Sequence, residues 1–208
     1  MPTADVAEPP IGRRERRRQE AKQRLYDCAL ELFTERGYEA TTIDDIAEKA
    51  DVARGTFFNY FQRKEDLISM WGAKRRERLN EHIDNVRTTS PNGFVSDLEY
   101  CMVALGRMNE EEWPTTRTML LAWVKAGRPM LEEPHVATIF AQIIQAGRAR
   151  GEVAPDIDPD RTGNLLRDAY FGLLYRWTSH EELPGSLPDE LRAVLHIILA
   201  GIRPRDDG

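Results

Sequence analysis

Two short helical patterns separated by three residues occupy positions 41 to 64, and this spacing constrains the fold more than any other feature of the chain. The first pattern is an apolar stripe at intervals of three and four residues, formed by Ile43, Ile46, Ala47 and Ala50. Thr42 precedes this stripe at the N-cap position, and Asp45 follows three residues later. The pair predicts a variant of the capping box, in which the carboxylate also lies favourably against the helix N-terminus.

The second pattern predicts a helix with one apolar and one polar face. Phe57 and Phe61 are four residues apart and should face inward. Thr56 lies three residues from Asn59 and four from Tyr60, which predicts a polar face with an aromatic member. Because a three-residue connection is too short for antiparallel stacking, it suits the open crossing of a helix-turn-helix. The polar face is therefore where we expect base and phosphate contacts.

The alternative is a helical hairpin packed inside an ordinary all-α domain, and the flanking sequence argues against it. An amphipathic helix precedes the pair, with apolar residues at Leu25, Ala29, Leu32 and Phe33. It is expected to end at Arg36-Gly37, where glycine suits a left-handed C-terminal position. Three helices within residues 20 to 64 predict a compact DNA-reading unit.

A basic run from Arg13 to Arg18 precedes these helices and follows the proline-rich residues 1–12, which we expect to be disordered. Such arms bind phosphates or lie in a minor groove, and Arg16 and Arg17 are the candidate contacts. A solvated helix start is the alternative for this run. The net charge of −6 does not exclude a nucleic-acid partner, because residues 91–208, with 12 basic and 18 acidic residues, carry all of it.

Several segments share the order and spacing of one known DNA-binding domain: Ala29 with Leu32-Phe33 and Gly37-Tyr38, Thr42 to Ala47, Gly55 to Phe61, and Lys64 to Leu67. On these segments, residues from about 20 to 70 resemble the N-terminal domain of the tetracycline-repressor (TetR) family of bacterial transcription regulators. The family commonly has glycine, serine and tyrosine where this chain has Asp51, Ala53 and Phe58.

These three departures change local details of the expected unit. Asp51 replaces the most flexible turn residue, although Asp tolerates turn dihedrals better than most side chains. Ala53 cannot cap the second helix through its side chain. Phe58 lacks a hydroxyl group that in similar proteins would donate to a phosphate. Tyr60 and Lys64 are then the expected aromatic and cationic phosphate partners.

The predicted DNA contacts fall into two groups. Base contacts are assigned to Arg54, Thr56 and Asn59, and Gly55 allows the backbone to approach closely. Phosphate contacts are assigned to Arg16, Arg17, Thr42, Tyr60 and Lys64.

The rest of the chain is helical in pattern, without period-two alternation. A long helix is expected from Lys64 to about Val86 as a strut between domains. The total is about nine helices in an all-α protein. The expected division is a flexible basic arm at 1–18, a helix-turn-helix domain at 19–63, and a ligand-binding and dimerisation domain at 64–208.

In the TetR family, the last two long helices pair with their copies from a second subunit as a four-helix bundle. Residues at helical spacing predict that interface: Leu166, Ala169, Tyr170, Leu173, Trp177, Leu191, Leu195 and Ile198. Gly163, Ala169 and Gly172 could permit close approach of helices. Packing inside one subunit is the alternative for both stripes. A homodimer would also match a palindromic operator in double-stranded DNA.

The resemblance implies a regulatory ligand among the middle helices. Aromatic and thioether side chains are the candidates for an apolar pocket: Trp71, Tyr100, Trp113, Met119, Trp123, Phe140, Phe171 and Tyr175. Core packing is the alternative for each of them. The identity of this small-molecule effector is not readable from the residues.

The spacing of residues in the sequence does not match the motifs of metal-binding proteins or enzymes. The four histidines are scattered without metal-ligand intervals, and no phosphate loop or nucleophile elbow occurs, so we expect no metal, no cofactor and no enzyme activity. Cys28 and Cys101 lie in helical patterns and predict buried packing rather than a disulfide framework. No apolar run approaches the ~20 residues that span a bilayer, so a cytoplasmic protein is expected.

The sequence therefore predicts a homodimeric transcriptional regulator, a repressor that an apolar small molecule releases from its operator. Two alternatives stay open: a ligand-independent architectural DNA-binding protein, and a helical protein-interaction module.

Overall fold

A computed structural model describes residues 12–87, 93–127, 135–180 and 185–200. Within those ranges the chain forms nine α-helices and no strand, which confirms the predicted all-α class. The helices are α1 (Arg13–Arg36), α2 (Ile43–Lys49), α3 (Arg54–Phe58), α4 (Glu65–Arg87), α5 (Gly93–Glu111), α6 (Trp113–Lys125), α7 (His135–Ala149), α8 (Pro159–Thr178) and α9 (Leu187–Ala200). In the parts of the chain that are described, no helix is both long and apolar enough to cross a bilayer.

The chain divides into two compact units, Met1–Leu67 and Ile68–Gly208. The boundary falls inside α4, shortly after the predicted division between 63 and 64. The first unit contains α1 to α3, and the second contains α5 to α9.

The start of α1 corrects one expectation. Residues Arg13 to Arg18 are helical rather than part of a flexible arm, and the backbone N–H of Arg16 donates to the carbonyl of Gly12 at 3.0 Å. Arginine, glutamine and glutamate have favourable helix propensity, and Glu15 lies in the first turn, where the helix dipole favours a carboxylate. The expectation of disorder for 1–11 lies outside the described residues.

The predicted apolar stripes form the core of the first unit. Its buried side chains are Leu25, Tyr26, Ala29, Leu32, Phe33, Ile46, Ala47, Ala50, Phe57 and Phe61. Helix α1 ends at Gly37, which has a φ of 86° and donates its N–H to the carbonyl of Phe33 at 2.9 Å. That positive φ is why glycine occupies the position.

The core of the second unit joins helices α5, α7, α8 and α9. An apolar stripe on α5 is buried, and it consists of Phe94, Leu98, Cys101, Met102 and Leu105. Helix α8 begins with Asp158 at the N-cap, which accepts from the N–H of Arg161 at 2.8 Å, and with Pro159 at the first helical position. Burial raises the pKa of the Cys101 thiol to about 12, so the group stays protonated at neutral pH.

Two glycines on α8 have different surroundings. A Cβ on Gly163 would lie 2.4 Å from the carbonyl oxygen of Ala137 and 2.9 Å from the backbone nitrogen of Ala141. A Cβ on Gly172 would meet only the Nη1 atom of Arg176, at 3.8 Å. Gly163 therefore permits the close approach of α7 to α8 within one chain.

We predict that Gly163→Ala lowers the free energy of unfolding by about 1–3 kcal/mol. The new methyl group would overlap backbone atoms of α7, which can move only at a cost in packing. Gly172→Ala is the matched control on the same helix. It should be neutral or stabilise by up to about 1 kcal/mol, because alanine has the better helix propensity. Urea unfolding followed by tryptophan fluorescence measures both variants, and equal effects would contradict the assignment.

Candidate DNA interface and ligand cavity

The N-terminus of α2 carries the predicted capping box. The Thr42 Oγ1 atom accepts from the backbone N–H of Asp45 at 3.1 Å. The Asp45 Oδ2 atom accepts from the Thr42 hydroxyl at 2.6 Å and from the Thr42 N–H at 2.8 Å. These hydrogen bonds, the hydroxyl one first, lower the pKa of Asp45. The polar groups of Thr42, a predicted phosphate contact, are therefore already used in the cap.

The turn between α2 and α3 is closed by backbone hydrogen bonds. Asp51 has a φ of 52°, the left-handed conformation for which Asp is better suited than most residues. Its N–H donates to the carbonyl of Glu48, and that of Val52 donates to the carbonyl of Ala47, both at 3.0 Å. From α1, the Nε atom of Arg24 donates to the carbonyl of Ala50 at 3.0 Å.

Helix α3 is only five residues long. Ala53 is its N-cap and makes no side-chain hydrogen bond there, as predicted. Phe57 and Phe61 are buried, with ring centroids 5.4 Å apart, which confirms the inward face. Asn59 and Tyr60 follow the helix in a turn.

The opposite side of α3 carries the predicted base contacts. Arg54, Gly55 and Asn59 are exposed, whereas Thr56 and Tyr60 are partly buried. A Cβ on Gly55 would meet nothing within 4 Å, so the backbone there is open to an approaching molecule. Arg16 and Arg17 lie on the exposed surface of α1. Phe58, which stands where the family commonly has tyrosine, is also exposed.

Arg54 has a carboxylate partner that the sequence did not predict. Its Nη1 atom lies 2.5 Å from the Oδ2 atom of Asp44, and its guanidinium lies 5.9 Å from the ring centroid of Phe58. Both members of the ion pair are more than half exposed. Because exposed pairs contribute about 1 kcal/mol or less, Arg54 can exchange Asp44 for a base at low cost.

Lys64 is held by backbone carbonyl groups. Its Nζ atom donates to the carbonyl of Tyr38 at 2.7 Å and to that of Thr41 at 2.9 Å. The same atom lies 4.2 Å from the ring centroid of Tyr38. Lys64 thus fixes the connection between α1 and α2, a structural role that the expectation of a phosphate contact did not include.

A cavity of about 510 Å³ lies in the second unit, and its wall comes from α4 to α8. Four of the eight predicted ligand residues line it, and they are Trp71, Trp123, Phe171 and Tyr175. Apolar residues that were not predicted complete much of the wall, and they include Leu79, Leu105, Met108, Leu120, Val124, Val136 and Leu174. Most of the wall is therefore apolar or aromatic.

The other four predicted ligand residues lie elsewhere, which corrects that part of the prediction. Met119 and Phe140 are fully buried in the core. Trp113 packs edge-on against Trp177, with ring centroids 4.4 Å apart. Tyr100 faces solvent beside the buried Cys101. Helical spacing alone does not distinguish core residues from residues that line the cavity, because both kinds of residue are apolar.

A partly buried arginine on the wall, Arg75, was missed by the sequence analysis. The Nη2 atom of Arg75 donates to Asn109 Oδ1 at 2.7 Å, and its Nη1 atom donates to Glu112 Oε2 at 2.9 Å. The guanidinium also lies 4.8 Å from the ring centroid of Trp71. Arg78 forms a second ion pair with Glu112. Glu112 therefore balances two cations.

The arginine network continues into α8. Asn109 is fully buried, and its Nδ2 atom donates to the carbonyl of Leu105 at 2.6 Å and to the Tyr170 hydroxyl oxygen at 3.0 Å. Burial raises the pKa of Tyr170, so its phenol stays protonated. Glu112, Arg75, Asn109 and Tyr170 form a chain of polar contacts along an apolar wall.

Charged residues complete the lining. Arg167 pairs with Asp168 at 2.6 Å, and His135 Nε2 lies 3.2 Å from Asn80 Oδ1. Burial first, and then the charge of Arg76, lower the pKa of His135. Over the described parts of the chain, no three histidine, cysteine or acidic residues come close enough to hold a metal ion.

The predicted dimer residues are mostly core residues of a single chain, which corrects that set. Six of them are buried: Leu166, Tyr170, Leu173, Trp177, Leu191 and Leu195. Their side chains have almost no exposed area with which to contact a second subunit. Ala169 and Ile198 are partly buried. The exposed apolar residues on α8 and α9 are instead Leu165, Tyr175 and Ile197, with relative exposures of 52%, 47% and 74%.

Comparison with known proteins agrees with this arrangement. Residues 25–69 match the family model described as bacterial regulatory proteins, tetR family. These residues form a DNA-binding domain of the TetR family. The matched residues run from α1 into α4 and include the whole helix-turn-helix.

Similarity to TetR-family relatives extends beyond that segment. The repressor KstR of Rhodococcus jostii is 23% identical over 86% of this chain and 83% of its own length. The regulator UidR of Escherichia coli is 23% identical over 75% of this chain and 81% of its own. Thermus thermophilus FadR, a TetR-family repressor solved with lauroyl-CoA, is 27% identical with a TM-score of 0.71, over 89% of this chain and 96% of that one. This chain is a DNA-binding transcriptional regulator.

We predict that Lys64→Met lowers the stability of the first unit by about 1–3 kcal/mol, because the charged hydrogen bonds to Tyr38 and Thr41 are lost. Arg63→Met removes the same charge at an exposed neighbour and should stay within about 0.5 kcal/mol of the wild type. Hydrogen exchange of the α1 and α2 amides measures this unit separately. Equal protection in the two variants would show that Lys64 has no structural role.

Proposed function

We propose that the chain is a repressor that binds a palindromic operator as a homodimer and releases it when an apolar small molecule enters the cavity. The observation that carries this proposal is the cavity of about 510 Å³, which lies in a helical body that α4 connects to a DNA-binding unit. That volume lies within the range of sites for small organic ligands. Lauroyl-CoA, the ligand of the similar FadR, contains a long apolar chain.

We propose that the side of α3 opposite Phe57 contacts DNA. Arg54, Thr56 and Asn59 contact bases, and Gly55 lets the backbone approach. Tyr60 contacts a phosphate, and Arg16 and Arg17 add positive charge from α1. Thr42 and Lys64 remain proposed phosphate contacts, through groups that they also use within the protein.

The homodimer is proposed to form through the exposed apolar residues of α8 and α9. Leu165, Tyr175 and Ile197 supply apolar surface that a second copy would bury. Two-fold symmetry then presents two copies of α3 to two half-sites, which gives a palindromic operator. We also propose that the protein acts in the cytoplasm, on chromosomal DNA.

The proposed switch uses α4. Trp71 and Arg75 on this helix line the cavity, and the helix begins in the first unit at Glu65. A ligand that prefers one position of α4 would change the separation of the two α3 helices, so that both no longer fit successive major grooves. A coupling of about 1–3 kcal/mol is enough for such a switch. The cavity favours this reading over a ligand-independent architectural protein.

Selection of bound duplexes from a random DNA pool is expected to yield a palindrome. Thr56→Ala should abolish or alter that palindrome, because Thr56 lies in the proposed base-reading surface. Thr34→Ala, at an exposed threonine on α1, is the matched control and should leave the selected sequence unchanged. No enrichment at low salt would favour the protein-interaction module instead.

Binding of a suitable apolar ligand is expected to weaken operator binding about 5- to 150-fold. Fluorescence anisotropy of a labelled operator measures this, with lauroyl-CoA and a broad library of apolar compounds as candidate ligands. Val124→Trp places a bulky side chain on the cavity wall and should weaken the response while operator affinity is kept. Gln145→Trp, at an exposed position outside the cavity wall, is the control. Unchanged operator affinity across the library would refute the ligand response.

A further inference from the structure

For the polar residues of the cavity wall, the donor and the acceptor of each hydrogen bond can be assigned. A guanidinium group only donates, so the atom of Asn109 that faces Arg75 must be the carbonyl oxygen. The amide nitrogen of Asn109 then faces the Leu105 carbonyl and the Tyr170 hydroxyl oxygen. The Leu105 carbonyl, which only accepts, independently requires the same orientation. The chemistry of its neighbours therefore fixes the Asn109 amide.

This orientation determines what Tyr170 can do. Its oxygen accepts from Asn109, so its own hydroxyl proton must be donated to another group. Among the described residues, the Tyr170 hydroxyl makes no hydrogen bond apart from the one that it accepts from Asn109. Because burial raises the pKa of Tyr170, the proton stays on the phenol at neutral pH. The wall thus presents a buried donor without an acceptor.

The cavity wall contains a second buried donor that has no acceptor in the described structure. Trp71 is buried, and its indole Nε1 has no hydrogen-bond partner in the described structure. Buried donors without acceptors are costly and uncommon in folded proteins. The one carboxylate on the wall, Asp168, is already paired with Arg167. The described wall therefore has two buried donors, Tyr170 and Trp71, that a ligand acceptor would satisfy.

We propose that the ligand is an apolar molecule with a neutral carbonyl oxygen, as in a ketone, ester or lactone, which accepts a hydrogen bond from Tyr170. This inference rests on the proposed function, since it assumes that the cavity binds a small molecule. A carboxylate fits this point less well, because the guanidinium of Arg75 beside Asn109 is already hydrogen-bonded to Glu112 and Asn109. An ammonium group has no lone pair with which to accept the Tyr170 proton. Tyr170 selects the functional group, and the apolar wall binds the remainder.

Three probes on one naphthalene skeleton test the proposal with the full-length chain and no DNA. All carry a 2-dimethylamino group, and position 6 holds a propionyl, a propyl or a carboxylate group. The propionyl compound is fluorescent, and its emission moves to longer wavelength when its carbonyl accepts a hydrogen bond. We expect it to bind about 3- to 10-fold more tightly than the propyl compound, the ratio for one neutral hydrogen bond.

Two tyrosine variants locate the donor. Tyr170→Phe should remove the preference for the propionyl compound and shift its bound emission to shorter wavelength, with propyl binding unchanged. Tyr100→Phe makes the same chemical change at an exposed tyrosine of α5 outside the cavity wall and should have no effect. The emission of the propionyl compound in the wild type reports the hydrogen bond directly, so the test does not depend on a variant that folds.

Several outcomes would overturn the inference: equal affinity for propionyl and propyl compounds, equal effects of the two variants, or no binding of any probe. Preference for the carboxylate that survives Tyr170→Phe would also overturn it and assign recognition to Arg76 and Arg167. The operator assay is separate. A carbonyl probe that binds through Tyr170 without changing operator affinity would refute the proposed switch and leave this inference intact.

Discussion

The hydrogen-bonded ion pair of the partly buried Arg75 guanidinium is the interaction on which the second unit depends most. A charge removed from water needs both a counter-ion and hydrogen-bond acceptors, and Arg75 finds them in Glu112 and Asn109. These contacts connect α4 to α5 and to the start of α6. Because Asn109 in turn contacts Tyr170, the position of one side chain on α4 sets the polar geometry of α8. A molecule in the cavity therefore meets a wall whose parts are coupled.

Helix α8 serves three purposes at different points around its circumference. Gly163 allows the backbone of α7 to approach α8 closely. Leu166, Tyr170 and Leu173 fill the core. Phe171 faces the cavity, stacked on Trp123 with ring centroids 5.2 Å apart. Leu165 remains on the surface. Substitutions on this helix should thus affect stability, ligand binding or assembly according to which side they face.

The sequence predicted most of the fold because its signals there are local. The capping box at Thr42, the inward pair Phe57 and Phe61, and the end of α1 at Gly37 each depend on residues a few positions apart. The sites were predicted less well because their contacts are distant in sequence. Arg75 and Asn109 are separated by 34 positions, and nothing in either segment indicates the other. Apolar periodicity also cannot separate core from cavity or interface, which is why Phe140 and Leu195 were misplaced.

Helix α3 is too short to be stable by itself, since isolated helices of fewer than about 12 residues are marginal in water. It also lacks a side-chain cap at Ala53. Its conformation is therefore maintained by Phe57 and Phe61, which pack into the core. The exposed residues Arg54 and Asn59 contribute little to that packing. Sequence preference can consequently diverge during evolution at almost no cost in folding, because the side chains that read DNA are different from those that hold the helix in place.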